Sequence, residues 1–372
     1  MSTSQTTIIP HSQLPLVTRE YPSEAELSEC IFRAYAAQKM WKKVPLRDRL
    51  AIAHKFADVF LSQISVISSE LSQQIGRPIT YCQGECKTML KRTDYLLSIA
   101  QSSLEDQVIP DYDNSGSRRY IQRIPHGVIL AITPWNYPYL VTINTVLPAL
   151  VAGNTVLLKP SPQTPLAAES FAKCWVDAGL PQHVLQVLHL PPLLTEKAIQ
   201  DSHVNFVIFT GSVLGGKAVD TAVANAKGFK GVALELGGKD PAYVRDDADI
   251  DFTVTELVDG LARISIRVKA VVPSRCLQRA FQRIYVHESK YEEFVQKFVD
   301  LAKTYKLGDP AVPETTLGPV ISLSAASRIR KQIADAGQLF GSFFLVKSKH
   351  LTVVAGGARE LISSDLFSVA KE

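Results

Sequence analysis

The sequence predicts a doubly wound α/β fold, a parallel sheet covered by helices on both faces, followed by a second, incomplete α/β domain. Short, continuous, β-branched apolar runs stand at 128–132, 155–158, 184–188, 204–209 and 232–234. Helix-like segments separate them at 140–151, 164–178, 194–201 and 215–226. Strands buried on both faces read as unbroken apolar runs, and their alternation with helices marks a parallel sheet. The pattern then deteriorates from Ala262, where ARISIRVKAVVPSRCLQRAFQ carries no clean period, and resumes only in pieces.

Before the sheet, 24–41 and 47–71 carry apolar residues at helical spacing, among them Leu50, Ala53, Phe56, Val59, Phe60 and Ile64. Pro45 sits where a helix would begin, and Gly76-Arg77-Pro78 stops the second segment. The polar stretch 111–123, with DNSGSRR at its centre, reads as a hairpin leading into the strand YIQRIP. The first domain is therefore placed at 1–244, with the hairpin near 111–123. After Asp249 a helix runs to about Gly260; a strand at 284–286 and helices at 289–304 and 325–336 follow. The segment 337–354 is unpatterned, and the partial second domain is placed at 245–372.

Composition limits the function classes. Among 372 residues, 46% are apolar and 20% charged, and 40 basic against 36 acidic residues leave a net charge of +4. That excess is too small to indicate nucleic acid or an anionic membrane as partner. No apolar run approaches the ~20 residues of a membrane span. The start, MSTSQTTIIPHSQ, lacks a signal peptide's basic-then-apolar layout. Cys30, Cys82, Cys86, Cys174 and Cys276 are odd in number and widely spaced, which argues for a reducing compartment, read as the cytoplasm. Cys82 and Cys86 lie four apart, but no second pair completes a zinc site, so no metal is expected.

No G-x-G-x-x-G occurs. The strand ends carry ITPWNYP (132–138), LLKPSPQTP (157–165), FTGSVLGG (209–216) and LELGGKDP (234–241) instead. Asn136 can donate a hydrogen bond to an oxygen that becomes an anion, although alone it reads as a turn cap. Lys159 is either a cation for a phosphate or ribose, or a solvated strand-end lysine. Gly211, Ser212, Gly215 and Gly216 suit either an anion at a helix start or a tight turn. Glu235 is expected to be partly buried, either as a general base or as a carboxylate met by backbone amides.

Taken together, in this order and spacing, these motifs closely resemble the aldehyde dehydrogenase superfamily. The resemblance runs from about 20 to 336, is strongest over 124–250, and continues through GDP (308–310) and LGPVIS (317–322). It implies oxidation of an aldehyde to a carboxylic acid with NAD or NADP. It makes Asn136 the oxyanion donor and Glu235 the base that activates water. Thr133, Trp135, Lys159, Ser161, Gly211, Ser212, Gly215, Leu236 and Gly237 would lie along the cofactor. Gly238 and Lys239 complete the last motif. Many relatives carry Glu after K-P-S, where it binds the adenosine ribose; this chain has Pro162, which leaves room for a 2′-phosphate and the NAD-or-NADP choice open. Trp135, Tyr137 and Leu140 would form an apolar mouth for a small-molecule aldehyde. The resemblance also implies a homo-oligomer built through the hairpin and a C-terminal strand.

The nucleophile is missing. The family's thiolate lies in a G-Q-x-C segment ahead of the strand RIYVHES, and here that interval is 262–282. Regrouping the codons of 262–275 by one base permits the reading G-A-Y-F-N-S-G-Q-S-C-C-A-I-E, which places the expected cysteine at Val271. The chain as written is accordingly expected to derive from a reading-frame slip, through mutation or a faulty gene model. It is also expected to lack the family's later E-x-F-G-P segment and to be catalytically impaired. A displaced Cys276 is the weaker candidate. The alternative is a non-catalytic nucleotide-binding or scaffold protein. A truncated second sheet would leave apolar faces and strand edges open to association.

Overall fold

A computed structural model of the chain describes residues 3–110, 116–238, 241–262, 283–339, 344–347, 352–355 and 368–371. It divides into two compact units, one of residues 1–7, 15–70 and 85–236, the other of 8–14, 71–84 and 237–372.

Strands β1 (Ser4–Ile8) and β2 (Pro15–Glu20) form a two-stranded sheet ahead of helix α1 (Glu24–Trp41). Helix α1 begins where the sequence predicts because of a reciprocal cap. Ser23 Oγ accepts the Glu26 amide at 3.2 Å, and Glu26 Oε2 accepts the Ser23 amide at 2.8 Å. Periodicity over 47–71 predicts one helix, but the structure holds two: α2 (Leu46–Ser62) and α3 (Ile64–Ile75), bent by 71°. No Pro or Gly marks this bend; it allows Phe56 and Phe60 of α2 and Ile67 and Leu71 of α3 all to be buried. Helix α3 stops at Gly76, whose φ of +71° suits glycine and whose Cβ would stand 2.8 Å from Pro319 Cγ. Helix α4 (Ile79–Leu104) follows, and then β3 (Gln107–Ile109) pairs antiparallel with β4 (Arg119–Ile121). These two strands flank the predicted hairpin, whose tip at 111–115 lies outside the described residues.

The alternating region then runs β5 (Val128–Ile132), α5 (Pro138–Val151), β6 (Thr155–Lys159), α6 (Pro165–Asp177), β7 (Leu185–Val187), α7 (Pro192–Gln200), β8 (Val204–Gly211), α8 (Val213–Ala224) and β9 (Gly231–Leu236). The sheet is parallel, in the order β7-β6-β5-β8-β9, so the winding direction reverses between β5 and β8. This is the doubly wound fold that the sequence predicts. Val128, Leu130 and Ile132 share one core with Leu27 and Ile31 of α1, Leu194 of α7 and Val219 of α8. Helices α2, α5 and α6 pack together through a second, aromatic cluster. There Phe56 stacks on Trp175 with centroids 4.2 Å apart and meets Phe171 at 5.1 Å, while Phe60 meets Tyr139 at 5.3 Å.

The second unit contains β10 (Pro241–Val244), α9 (Ile250–Ala262), β11 (Arg283–Val286), α10 (Tyr291–Lys303), α11 (Leu323–Leu339), β12 (Phe344–Lys347), β13 (Thr352–Ala355) and β14 (Ser368–Lys371). The boundary drawn at Val244 assigns Pro241–Val244 to the first domain, but β10 pairs with β11, and β11 with β14, in a parallel three-stranded sheet. Val244, Ile250, Val254, Ile284, Val286, Phe294 and Phe298 form its core. Within the stretch read as unpatterned, α11 extends to Leu339, and β12 pairs antiparallel with β13.

One polar cluster ties β2, α6 and the segment after β7 together. Arg19 donates from Nε and Nη2 to the two Glu169 carboxylate oxygens at 2.7 and 2.8 Å, and His189 Nε2 lies 2.8 Å from Glu169 Oε1. Burial pushes the Glu169 carboxyl up, but hydrogen bonds and charge from Arg19 and His189 outweigh it and hold the pKa at about 2. The stabilisation is therefore complete above the ordinary carboxylate value of 4.5 and fades as pH falls through about 2. Glu169→Gln is expected to cost roughly 2 kcal/mol near neutral pH and little at the acid end, read from urea midpoints across that range. Phe56→Ala, at a fully buried stacked ring, is expected to cost about 3–5 kcal/mol in the same measurement.

Candidate functional site

In an open parallel sheet the crevice for a ligand lies beyond the strand carboxyl ends, where the winding reverses. Here that place is beyond β5 and β8, with β6 and β9 on either side. Register sets the neighbours. Ile132 pairs with Lys159 and with Phe209, and the Thr133 amide extends the ladder to Lys159 O at 3.1 Å. Thr210 pairs with Glu235 and Gly211 with Leu236. Four separate sequence motifs thus end on one rim of the sheet.

Thr133 is buried, while Trp135 and Asn136 are partly exposed on the loop that precedes α5. Tyr137 and Leu140, the proposed mouth residues, are buried at 7% and 6% exposure, and Leu140 sits within the first turn of α5. Sequence reading does not single out Glu85. Yet Glu85 Oε1, from α4, accepts the amides of Tyr139 and Leu140 at 3.0 and 3.3 Å and so caps this helix. A lone glutamate in the middle of a helix gives no sequence signal for such a role.

Lys159 closes β6. Burial lowers its ammonium below the usual lysine pKa, and among the described residues it has no hydrogen-bond or ion-pair partner. A cation held this way carries a desolvation cost that an anionic or polyhydroxyl ligand would relieve. The following loop is braced. Ser161 Oγ accepts the Gln163 amide at 3.3 Å, Ser161 O accepts the Thr164 amide at 3.0 Å, and Thr7 Oγ1 donates to Pro162 O at 2.8 Å. Pro162 itself is exposed.

Ser212 is the N-cap of α8, its Oγ accepting the Gly215 amide at 3.1 Å. The amides of Val213 and Leu214 have no acceptor among the described residues, and both residues are exposed. Two open N–H groups at the positive end of a helix fit a pyrophosphate. The glycines here have a packing reason as well. A Cβ on Gly211 or Gly215 would come within 2.6 or 2.7 Å of Phe209 Cζ, and one on Gly216 within 2.4 Å of Leu236 Cδ2. The predicted cofactor residues therefore divide in two. Lys159 and the first turn of α8 offer groups to a ligand, while Gly211, Gly215 and Leu236 let that turn pack closely on the sheet.

Glu235 departs from expectation. It is exposed, because β9 is the sheet's edge strand and pairs with β8 alone within this sheet. The chain then turns through Gly237 and Gly238, with φ of +59° and +144°. Lys239, Val271 and Cys276 lie outside the described residues. The four described cysteines form no disulfide and lie on α1, α4 and α6. Cys82 and Cys86 are fully buried, and burial pushes Cys174 up to about 11 and raises Cys30. Cys30 and Cys174 therefore lack the lowered pKa of an activated nucleophile.

Comparison with known proteins matches the geometry. The aldehyde dehydrogenase family profile fits residues 1–350. The NADP(+) succinate-semialdehyde dehydrogenase of Deinococcus radiodurans is 32% identical over 353 residues, spanning 95% of this chain and 69% of that protein. The succinate semialdehyde dehydrogenase of Acinetobacter baylyi is 31% identical over 313 residues, spanning 84% and 62% respectively. The chain thus spans about two thirds of the length of these relatives. Among solved structures, succinic semialdehyde dehydrogenase from Streptococcus pyogenes, in complex with NADP+ as the cofactor, superposes with a TM-score of 0.88 at 26% identity. It covers 99% of this chain and 81% of that one. With its strand-end motifs gathered on one rim and its profile matched along nearly its whole length, the chain belongs to the aldehyde dehydrogenase family.

Proposed function

We propose that this chain binds NADP or NAD together with an aldehyde, and that its site is built around oxidation of the aldehyde to a carboxylic acid. The observation that carries this reading is the pairing, on one rim, of a partly buried Lys159 ammonium with the first amides of α8, all without a partner among the described residues. A bound dinucleotide supplies the hydride acceptor. Lys159 would hold a ribose or phosphate oxygen, and the Val213 and Leu214 amides the pyrophosphate. Asn136 would donate to the carbonyl oxygen as it gains charge, a contribution of ~3 kcal/mol in such sites. Glu235, at the exposed end of β9, would take the proton of the water that releases the acid. Pro162 sets no carboxylate against a 2′-phosphate, so NADP is the preferred form. The named relatives make succinate semialdehyde the first substrate to try.

The oxidation also needs a thiolate, and Val271 stands where the family resemblance places it. The described cysteines, with raised or buried thiols, do not replace it. We therefore propose that the chain as written binds the dinucleotide without turning the aldehyde over. Self-association through the β3–β4 hairpin is part of the same reading, supported by exposed Val108, Tyr120 and Ile121.

Calorimetric titration is expected to give saturable NADP binding, with Lys159→Ala raising Kd ~10-fold or more. Absorbance at the reduced-nicotinamide band is expected to stay flat with succinate semialdehyde and simple aldehydes. A flat titration with both dinucleotides would overturn the binding reading; steady NADPH formation would overturn its non-catalytic part.

A further inference from the structure

Every amide in the first turn of α5 has a recorded fate. Pro138 has no N–H to place. The Val141 amide goes to Tyr137 O at 2.9 Å. Those of Tyr139 and Leu140 both go to Glu85 Oε1, a side chain 54 and 55 residues earlier in the chain. Tyr137, in the capping position, supplies no side-chain acceptor to the helix. Glu85 is 4% exposed, so no water stands ready to replace it. At the other end, Trp41 Nε1 donates to Leu150 O at 2.9 Å and Gln38 Nε2 to Gly153 O at 3.3 Å. With its far end fixed, the helix leaves one local freedom to the loop ahead of it: how the first turn is wound. The carboxylate of Glu85 removes that freedom, and its charge suits the positive end of the helix.

We propose that Glu85 is a positioning residue for the site, its grip on the Tyr139 and Leu140 amides fixing the loop from which Trp135 and Asn136 project. The proposal rests on the reading of that loop as part of the dinucleotide and aldehyde site. Glu85→Gln keeps an acceptor oxygen at the same reach, whereas Glu85→Ala leaves two buried amides without one. Glu85→Asp draws the acceptor back by one methylene.

The test combines amide hydrogen exchange over 133–143, which needs no ligand, with NADP titration well below the melting temperature. Trp41→Phe, which removes a hydrogen bond at the far end of α5, is the control for general loss of stability. Glu85→Ala is expected to speed exchange of the Tyr139 and Leu140 amides ~10-fold and to raise the NADP Kd ~10-fold. Glu85→Gln is expected to restore both, and Trp41→Phe to lower the melting temperature with Kd unchanged. If Glu85→Ala does not fold, Glu85→Asp carries the same expectation in smaller degree. Parent-like exchange and affinity in the folded Ala or Asp variant would overturn the proposal, as would equal losses in Trp41→Phe. Failure of the parent chain to bind NADP would sink the proposed function alone, leaving the exchange comparison to decide the role of Glu85.

Discussion

A helix buried over most of its surface cannot leave its end groups to water, and α5 is such a helix: 12 of its 14 residues are buried, among them Pro138, Tyr139, Leu147 and Val151. Each unmet amide or carbonyl there would cost about 1–3 kcal/mol, so neighbouring elements have to supply the partners. Helix α4 supplies Glu85 at the start. Helix α1 supplies Trp41 and Gln38 at the end, and the Asn154 side chain donates to Ala149 O at 3.0 Å while accepting the Gly127 amide at 3.0 Å. The last of these links the end of α5 to the start of β5. Satisfying one apolar helix therefore fixes where α1, α4 and the central strand stand relative to it.

The rim of the sheet inherits this order. The groups proposed to face a ligand are ones that have no partner among the described residues: the Lys159 ammonium and two amides of α8. The elements that carry them are otherwise braced. Ser212 takes the third amide of α8, and Lys230 Nζ donates to the carbonyls of Asp201 and Val204 at the opposite end of the sheet. Unmet positive groups concentrated at one end of a rigid sheet make a preorganised anion site, because no reorganisation is needed when the ligand arrives.

The sequence discloses the parts of this arrangement that depend on local chemistry. Helix α1 is legible because its cap and its apolar stripe, Leu27, Ile31 and Ala34, lie within a few turns of one another. Strand β5 is legible because a central strand must be apolar at every position, and it is buried at all five. What is not legible depends on distant partners. The bend between α2 and α3 has no breaker to announce it; the packing of Phe56 and Phe60 against α5 and α6 accounts for it. The apolar run of β9 predicts burial, yet its edge position leaves Glu235 exposed, and edge or centre is decided by strand order alone. Pro241–Val244 follows β9 closely in sequence but joins another sheet through residues more than 40 positions on. Glycines at 211, 215 and 216 read as either an anion cradle or a tight turn, whereas the close approach of Phe209 and Leu236 to them comes from side chains that the turn's own sequence does not announce.

The groups proposed to hold the dinucleotide are supported within one part of this chain. Lys159, Ser212 and the open amides of α8 belong to the first compact unit, and the core of Leu130, Val207, Val219 and their neighbours that supports them is drawn wholly from that unit. The set that closes the ends of α5, with Glu85, Trp41, Gln38 and Asn154, is drawn from the same unit. The cation and the helix terminus of the proposed site therefore depend on packing that is complete within that unit. Dinucleotide binding in the proposed site should on that account be governed by the packing of α5 and α8 against the sheet.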